Sequence, residues 1–375
     1  MEPFVLKFRI ILLKRYNRFL NHEIADGFDS IHSKGAKMKN QTRKIHTILI
    51  FLAFLVLLAA LPAFCDTEET VKKSFKVEAG GQLILESDLG SVEVRAGGDS
   101  VLEAEVIRKV HTSISRKAKR VMEDFKLDFR QEGNTVYISG EYERDDFTRF
   151  WDELFGKGLH VKYIISVPAK FNLDLKTGGG SISVEDIEGQ IQSRTSGGSL
   201  RFDRIKGPVL GRTSGGSIKL LSCVGKAELR TSGGSITIGE VEGDVVAHTS
   251  GGSIRIGRAK GEVDAYTSGG GIRAEEVAGA IKARTSGGSI TASISGQPSS
   301  ASRLTTSGGS VTVYLAEDIK ADVDAHTSGG SVQTDFPVTV QGEVSRTSLR
   351  AKINGGGPEL YLRTSGGSIH IRKMQ

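Results

Sequence analysis

From residue 171 onward, alternating apolar and polar positions come in two short stretches per eighteen residues, separated by glycine-rich breaks. Thr177, Thr195, Thr213, Thr231, Thr249, Thr267 and Thr285 keep that spacing without a slip, and most open a Thr-Ser-Gly-Gly-Ser-aliphatic motif. Ile182, Leu200, Ile218, Ile236, Ile254, Ile272 and Ile290 form a second column with the same period. Two further columns run through Ile187, Ile205, Cys223, Val241, Ala259 and Val277, and through Ile191, Val209, Ala227, Val245, Val263 and Ile281. Like residues at like positions in successive units are what stacked coils require.

Side chains alternate between faces along a strand, so parity marks where the chain turns. Ile281, Ala283 and Thr285 share one parity, whereas Ile290 and Ala292 share the other. The switch puts a corner at Ser286-Gly287-Gly288, where glycine is expected to supply unusual φ values. A second bend falls across Glu275-Glu276, and the glycine column at 189, 207, 225, 243, 261 and 279 marks a third. Eighteen residues at ~3.3 Å each make a perimeter of about 60 Å, which suits a three-sided or flattened two-layer coil. The pattern therefore predicts an all-β, single-stranded β-solenoid.

The repeat reaches further toward the N-terminus than its motif. Leu83, Leu85, Ser87 and Leu89-Gly90-Ser91-Val92 align with Ile281, Ala283, Thr285 and Gly287-Gly288-Ser289-Ile290, so a first coil is expected to begin near Gly81. Strands are expected at 101–110, 135–140, 161–168 and 171–177. Between them, 113–125 reads as helical, and 146–155 is an amphipathic aromatic segment (Phe147, Phe150, Trp151, Leu154, Phe155). Packing on the N-terminal coil as a cap is the expected role of that segment, with docking on a membrane surface or a partner as the alternative. After Thr285 the spacing loosens to Thr306 and Thr327, and a degenerate coil at 344–353 is expected before Thr364. The division this gives is 1–65 as a leader, 66–170 as N-terminal coils with a capping excursion, and 171–375 as regular repeats, the last two continuous.

Charge changes the picture at the N-terminus. Of 50 Lys and Arg and 44 Asp and Glu, ten bases and four acids lie in residues 1–65, leaving forty of each beyond. A nucleic-acid reading needs a basic domain, and the remainder is neutral. Lys39, Arg43 and Lys44 precede fourteen uninterrupted apolar residues, 48–61, followed by Pro62 and Ala63-Phe64-Cys65. Starting at Met38, this reads as a secretory signal peptide cleaved before Asp66, and residues 1–37 as an over-extended start. A retained anchor is the alternative, although the run is shorter than the ~20 residues a spanning helix prefers. The expected location is periplasmic, cell-surface or extracellular. The cysteines are Cys65 and Cys223, so removal of the leader leaves no intramolecular disulfide.

The fragment Gly90-Ser91-Val92-Glu93-Val94, the stretch Val167-Pro168-Ala169-Lys170-Phe171-Asn172-Leu173-Asp174-Leu175 and the Thr-Ser-Gly-Gly-Ser-Ile rungs resemble the bacterial putative-adhesin family of β-strand-repeat proteins, a domain of unknown function. The resemblance covers roughly residues 75–375. It implies a surface or envelope role without defining a ligand or a catalytic residue.

The candidate chemistry is sparse. Ser-Gly-Gly-Ser leads into a strand rather than a helix carrying Lys-Ser/Thr, so it is a structural corner and no phosphate cradle. The turns carry no carboxylates for calcium, and no zinc or cofactor spacing occurs. Cys223 sits in a core column and reads as a small buried hydrophobe. One outward column is coherent: Arg194, Arg212, Arg230, His248, Tyr266 and Arg284 precede the repeat threonines, followed by Thr305, His326 and Arg363. Stacked ~4.8 Å apart, they form a partly basic ladder with an aromatic member. Like charges at that spacing need compensation, which Glu228 and Asp264 are placed to give. The column reads as a solvated row or as a binding surface for an anionic polymer. The function expected is a non-enzymatic, exported, adhesin-like structural or binding module, whose partners are an anionic surface polymer or another envelope protein. A polysaccharide lyase-like solenoid enzyme and a self-assembling scaffold are the alternatives.

Overall fold

Each residue of the repeated corner has a separate task. The threonine points inward and donates its hydroxyl to the second corner glycine of the neighbouring coil: Thr195 to Gly180 O at 2.8 Å, Thr213 to Gly198 O at 2.7 Å, Thr249 to Gly234 O at 2.7 Å. The same oxygen accepts the amide of the second glycine in its own corner, as Thr249 does from Gly252 at 3.4 Å. The closing serine accepts the next coil's serine amide, Ser217 N to Ser199 Oγ at 3.3 Å and Ser235 N to Ser217 Oγ at 3.2 Å. Two side-chain hydrogen-bond ladders thus run down one edge, and the threonine oxygen also braces its own corner.

The corner glycines are needed for a reason other than φ. Neither Gly251 nor Gly252 lies in the left-handed region, which corrects the expectation of unusual φ values. A Cβ on Gly252 would instead strike the carbonyl oxygen of Gly234 one coil away. Coils stack too closely there for any side chain. Positive φ occurs instead at the opposite bend of two regular coils, at Gly207 (136°) and Gly225 (143°) of the glycine column, and at the corner only in the first coil, at Gly90 (119°).

The computed structural model describes residues 66–111, 122–142, 159–341 and 345–374. The leader, 113–121 of the expected helix, and the aromatic segment 146–155 lie outside the described residues. The chain divides into units Met1–Ala63 and Phe64–Gln375, and every described residue belongs to the second. Among the described residues the strands form two sheets of 15, facing each other across a narrow core. One sheet takes the stretches after the corner (Ile182–Glu185, Leu200–Asp203, Ile218–Val224 and their successors). The other takes those before it (Ile191–Thr195, Val209–Thr213, Ala227–Arg230 and onward), all parallel and in the register of the eighteen-residue alignment. The flattened two-layer alternative is the correct one.

Inward positions compensate one another in size. Phe202 is fully buried, and Gly211 on the facing sheet makes room for it, since a Cβ there would come within 3.0 Å of the ring. Cys223 is also buried and bonds to Gly207 O at 3.3 Å, and burial pushes its thiol up to about 11. It packs as a small hydrophobe.

The order of coils at both ends departs from chain order. The coil at 81–96 does begin at Gly81, but it lies between the coil formed by Thr135–Tyr142 and Leu159–Val167 and the coil at 171–185. At the other end, Glu359–Thr364 and Ile369–Lys373 are inserted between the coil at 302–315 and the coil at 321–334. The threonine ladder follows this spatial order, with Thr364 donating to Gly309 O and Thr327 to Gly367 O, both at 2.6 Å. The expected degenerate coil at 344–353 is corrected accordingly. Ser348–Ile353 is an antiparallel strand laid on Ala321–Thr327, and it caps the second sheet together with Val338–Val340. Antiparallel strands also close the N-terminal end: Asp66–Lys76 and Val101–His111 on one sheet, Phe125–Glu132 on the other.

Candidate anion-binding face

The outer face of the second sheet carries the basic ladder. Register pairs Lys176 with Arg194, Arg194 with Arg212, Arg212 with Arg230, Arg230 with His248, His248 with Tyr266, and Tyr266 with Arg284. All six sequence-predicted residues therefore stand in one row, and Lys176 extends it. Beyond Arg284 the row continues through Thr305, Arg363 and then His326, because the terminal coil is inserted ahead of the coil at 321–334.

Charge compensation divides the row. Glu228 takes Arg230 at 3.0 Å and Arg212 at 3.1 Å, and those two bonds, Arg230's foremost, hold its carboxyl below the usual range. Arg230 also donates to His248 Nδ1 at 2.7 Å. Guanidinium can only donate, so Nδ1 is the acceptor and the imidazole proton sits on Nε2, directed at Asp264 at 3.4 Å. Both ring nitrogens of His248 are thereby engaged, leaving no free lone pair for a general base. Lys282 and Arg284, both exposed, make no ion pair among the described residues, and Arg303 has Glu359 only at 3.9 Å. Two adjacent uncompensated cations therefore stand at this end, and among the described residues of the row Arg194 is a single one at the other.

The same end holds a groove of about 610 Å³. Thr305 is the one short side chain between Arg284 and Arg363 in the ladder, so the face dips at its rung. Tyr266, 37 % exposed, and His248 form one wall, in edge contact with ring centroids 6.0 Å apart. Tyr361 and Arg363 of the inserted coil form the other, with Lys282, Arg284 and Arg303 between. The guanidinium groups of Arg303 and Arg363 lie over the Tyr361 ring at 4.2 and 4.1 Å, so Tyr361 positions cations rather than offering a free face. Asp324 neutralises Arg363 at 3.0 Å. The single carboxylate lining the groove, Asp264, is the one bonded to His248.

Of the predicted residues, His248, Tyr266 and Arg284 reach the groove, while Arg194, Arg212 and Arg230 lie along the row leading to it. Lys282, Arg303 and Tyr361 were missed. Lys282 lies two positions before Arg284 and was legible by parity, but Arg303 and Tyr361 meet only through the coil insertion. The outer face of the first sheet is organised differently, with Arg258 bridging Glu240 and Glu276 at 3.3 and 3.0 Å.

Solved structures similar to this chain include one described as a putative adhesin from Parabacteroides distasonis ATCC 8503 (12% identity, 82% of this chain and 97% of that chain covered, TM-score 0.38). A second is a putative adhesin from Bacteroides fragilis NCTC 9343 (10% identity, 82% and 97% covered, TM-score 0.33). A third is a putative lipid binding protein from Parabacteroides distasonis ATCC 8503 (12% identity, 82% and 97% covered, TM-score 0.29). No curated protein matches the chain. The profile of one family spans residues 82–372, from the first coil to the inserted last one, and on that match the chain belongs to the Toastrack DUF4097 family.

Proposed function

We propose that this protein is a non-enzymatic, exported, adhesin-like module that binds an anionic polymer along the outer face of the second sheet. The observation that carries the reading is the groove at the Thr305 rung, where Lys282 and Arg284 stand uncompensated beside the exposed ring of Tyr266. Exposed cations recognise carboxylate or sulfate, and a tyrosine face suits a sugar ring. Binding on this basis weakens steeply with salt, because exposed charges are screened over about 8–10 Å near physiological ionic strength. The engaged state of His248 favours binding over catalysis.

The test is titration of the purified protein with polygalacturonate and with neutral dextran over a salt series. Salt-sensitive binding of the acidic polymer alone, lost in the Lys282→Gln/Arg284→Gln variant, is the expected result. Equal binding of both polymers, or a variant that binds like the parent, overturns the reading. Cleavage products would restore the lyase alternative, and concentration-dependent filaments the scaffold.

A further inference from the structure

The terminal coil, residues 359–373, fills a slot between two coils that are consecutive in the chain. It pairs on both sides in both sheets: Leu360 and Leu362 stand against the strands Ser302–Thr305 and Ala321–Thr327, and Ile369 and Ile371 against Val311–Leu315 and Val332–Thr334. All four of these side chains are buried. Removing the coil would therefore uncover four strand edges and an open section of core, a surface that a coil of this repeat fits.

The connection into the slot is short and held in an unusual conformation. Asn354, Gly355 and Gly356 have φ of 52°, 89° and 93°, and Gly357-Pro358 follow. The linker crosses the start of Ala321–Thr327, because Ile353 pairs with Ala321 on one side of that strand while Glu359 pairs with Asp322 on the other. Asn354 pins the crossing by donating to Glu317 O at 2.9 Å and Ile319 O at 2.8 Å. A short reversal of this kind, leading into an element that makes its contacts only after threading between two others, favours exchange of that element between copies. An extended hinge satisfies the same contacts in a neighbour's slot without the left-handed residues.

We propose that the C-terminal coil is exchangeable, and that the partner this surface fits is a second copy of this chain, each copy seating residues 359–373 in the slot of the other. The exchanged assembly keeps one complete groove per slot, since Tyr361 and Arg363 enter with the coil whichever chain supplies it. This inference stands on the strand pairing and is independent of what the groove binds.

Thr305 and Arg363 face outward side by side in adjacent parallel strands, so cysteines at these positions report which coil occupies which slot. The Thr305→Cys/Arg363→Cys double variant should form an intramolecular disulfide, which verifies seating and folding. The two single variants are then mixed as full chains, taken through mild denaturant, returned to native buffer and oxidised. The expected product is a covalent dimer linked 305 to 363, mapped by mass spectrometry to distinguish it from links through Cys65 or Cys223. A mixture of Arg363→Cys with Arg194→Cys, a rung far from the slot, sets the background. A double variant that closes in cis, with no 305–363 dimer above background in the mixture, overturns exchange. A double variant that fails to close overturns the insertion itself.

Discussion

At the scale of single residues, close approach and charge sharing dominate. The two corner glycines are not equivalent. A Cβ on Gly251 would meet the carbonyl oxygen of Gly233 at 3.2 Å, a contact that small shifts relieve, whereas one on Gly252 collides with the Gly234 carbonyl. Gly252→Ala should therefore destabilise by about 1–3 kcal/mol, as overpacking does, and Gly251→Ala by clearly less. Denaturation midpoints compare them directly, and equal midpoints would reject the close-stacking account. Glu228 gives a pH-dependent counterpart. Its carboxyl is held low in the folded protein by Arg230 and Arg212, so the stabilisation is complete above the ordinary value of 4.5 and disappears as pH falls through the lowered one. Both arginines are more than a third exposed, which keeps the effect under about 1 kcal/mol. Glu228→Gln should flatten the acid limb of the stability curve. By freeing Arg212 and Arg230 it should also tighten polyanion binding. Unchanged binding in this variant would mean that the row does not contribute.

At the scale of elements, the inserted coil ties stability to the groove. Chains ending at Pro358 lose Tyr361, Arg363 and one wall of the groove, together with four buried aliphatic side chains. They should lose polygalacturonate binding and bind a hydrophobic dye. Retained binding in a truncated chain would place the site elsewhere on the ladder. Within the regular coils, Phe202 shows how size is balanced across the sheets. Its ring occupies the space that Gly211 leaves, and Phe202→Ala should cost about 3–5 kcal/mol. Thermal unfolding measures it.

At the scale of the molecule, the two faces can be compared charge for charge. Arg255 on the first sheet makes no ion pair among the described residues, as Lys282 and Arg284 make none on the second. Arg201, Arg255 and Arg273 point outward from the first sheet, where Arg201 lies near Glu185 and Arg273 bonds to Glu275 at 3.2 Å. Neutralising these three with Gln should change polymer binding much less than neutralising Lys282, Arg284 and Arg303, at equal loss of net charge. A similar loss from both triple variants would show a diffuse response to total charge and remove the case for a specific face. The ends bear on assembly as well: the N-terminal edge strand Asp66–Lys76 carries Glu68, Glu69, Lys72 and Lys73, and charges of this kind resist open-ended stacking.

The sequence by itself determined the repeat, the coil length, the inward threonine, the burial of Cys223 and the outward row from Arg194 to Arg284. All of these follow from an eighteen-residue period and a two-residue alternation, which in-register stacking transmits directly to space. It did not determine the order of coils at the ends. Thr306, Thr327 and Thr364 open the same Thr-Ser-Gly-Gly-Ser-aliphatic corner, so any of them stacks on any other, and local pattern cannot rank the pairings. Tertiary structure decided among them by placing the last coil where both of its edges are paired and all its aliphatic side chains are covered. The groove follows from that choice, because Tyr361, 58 positions beyond Arg303 in the chain, becomes its neighbour on the adjacent strand.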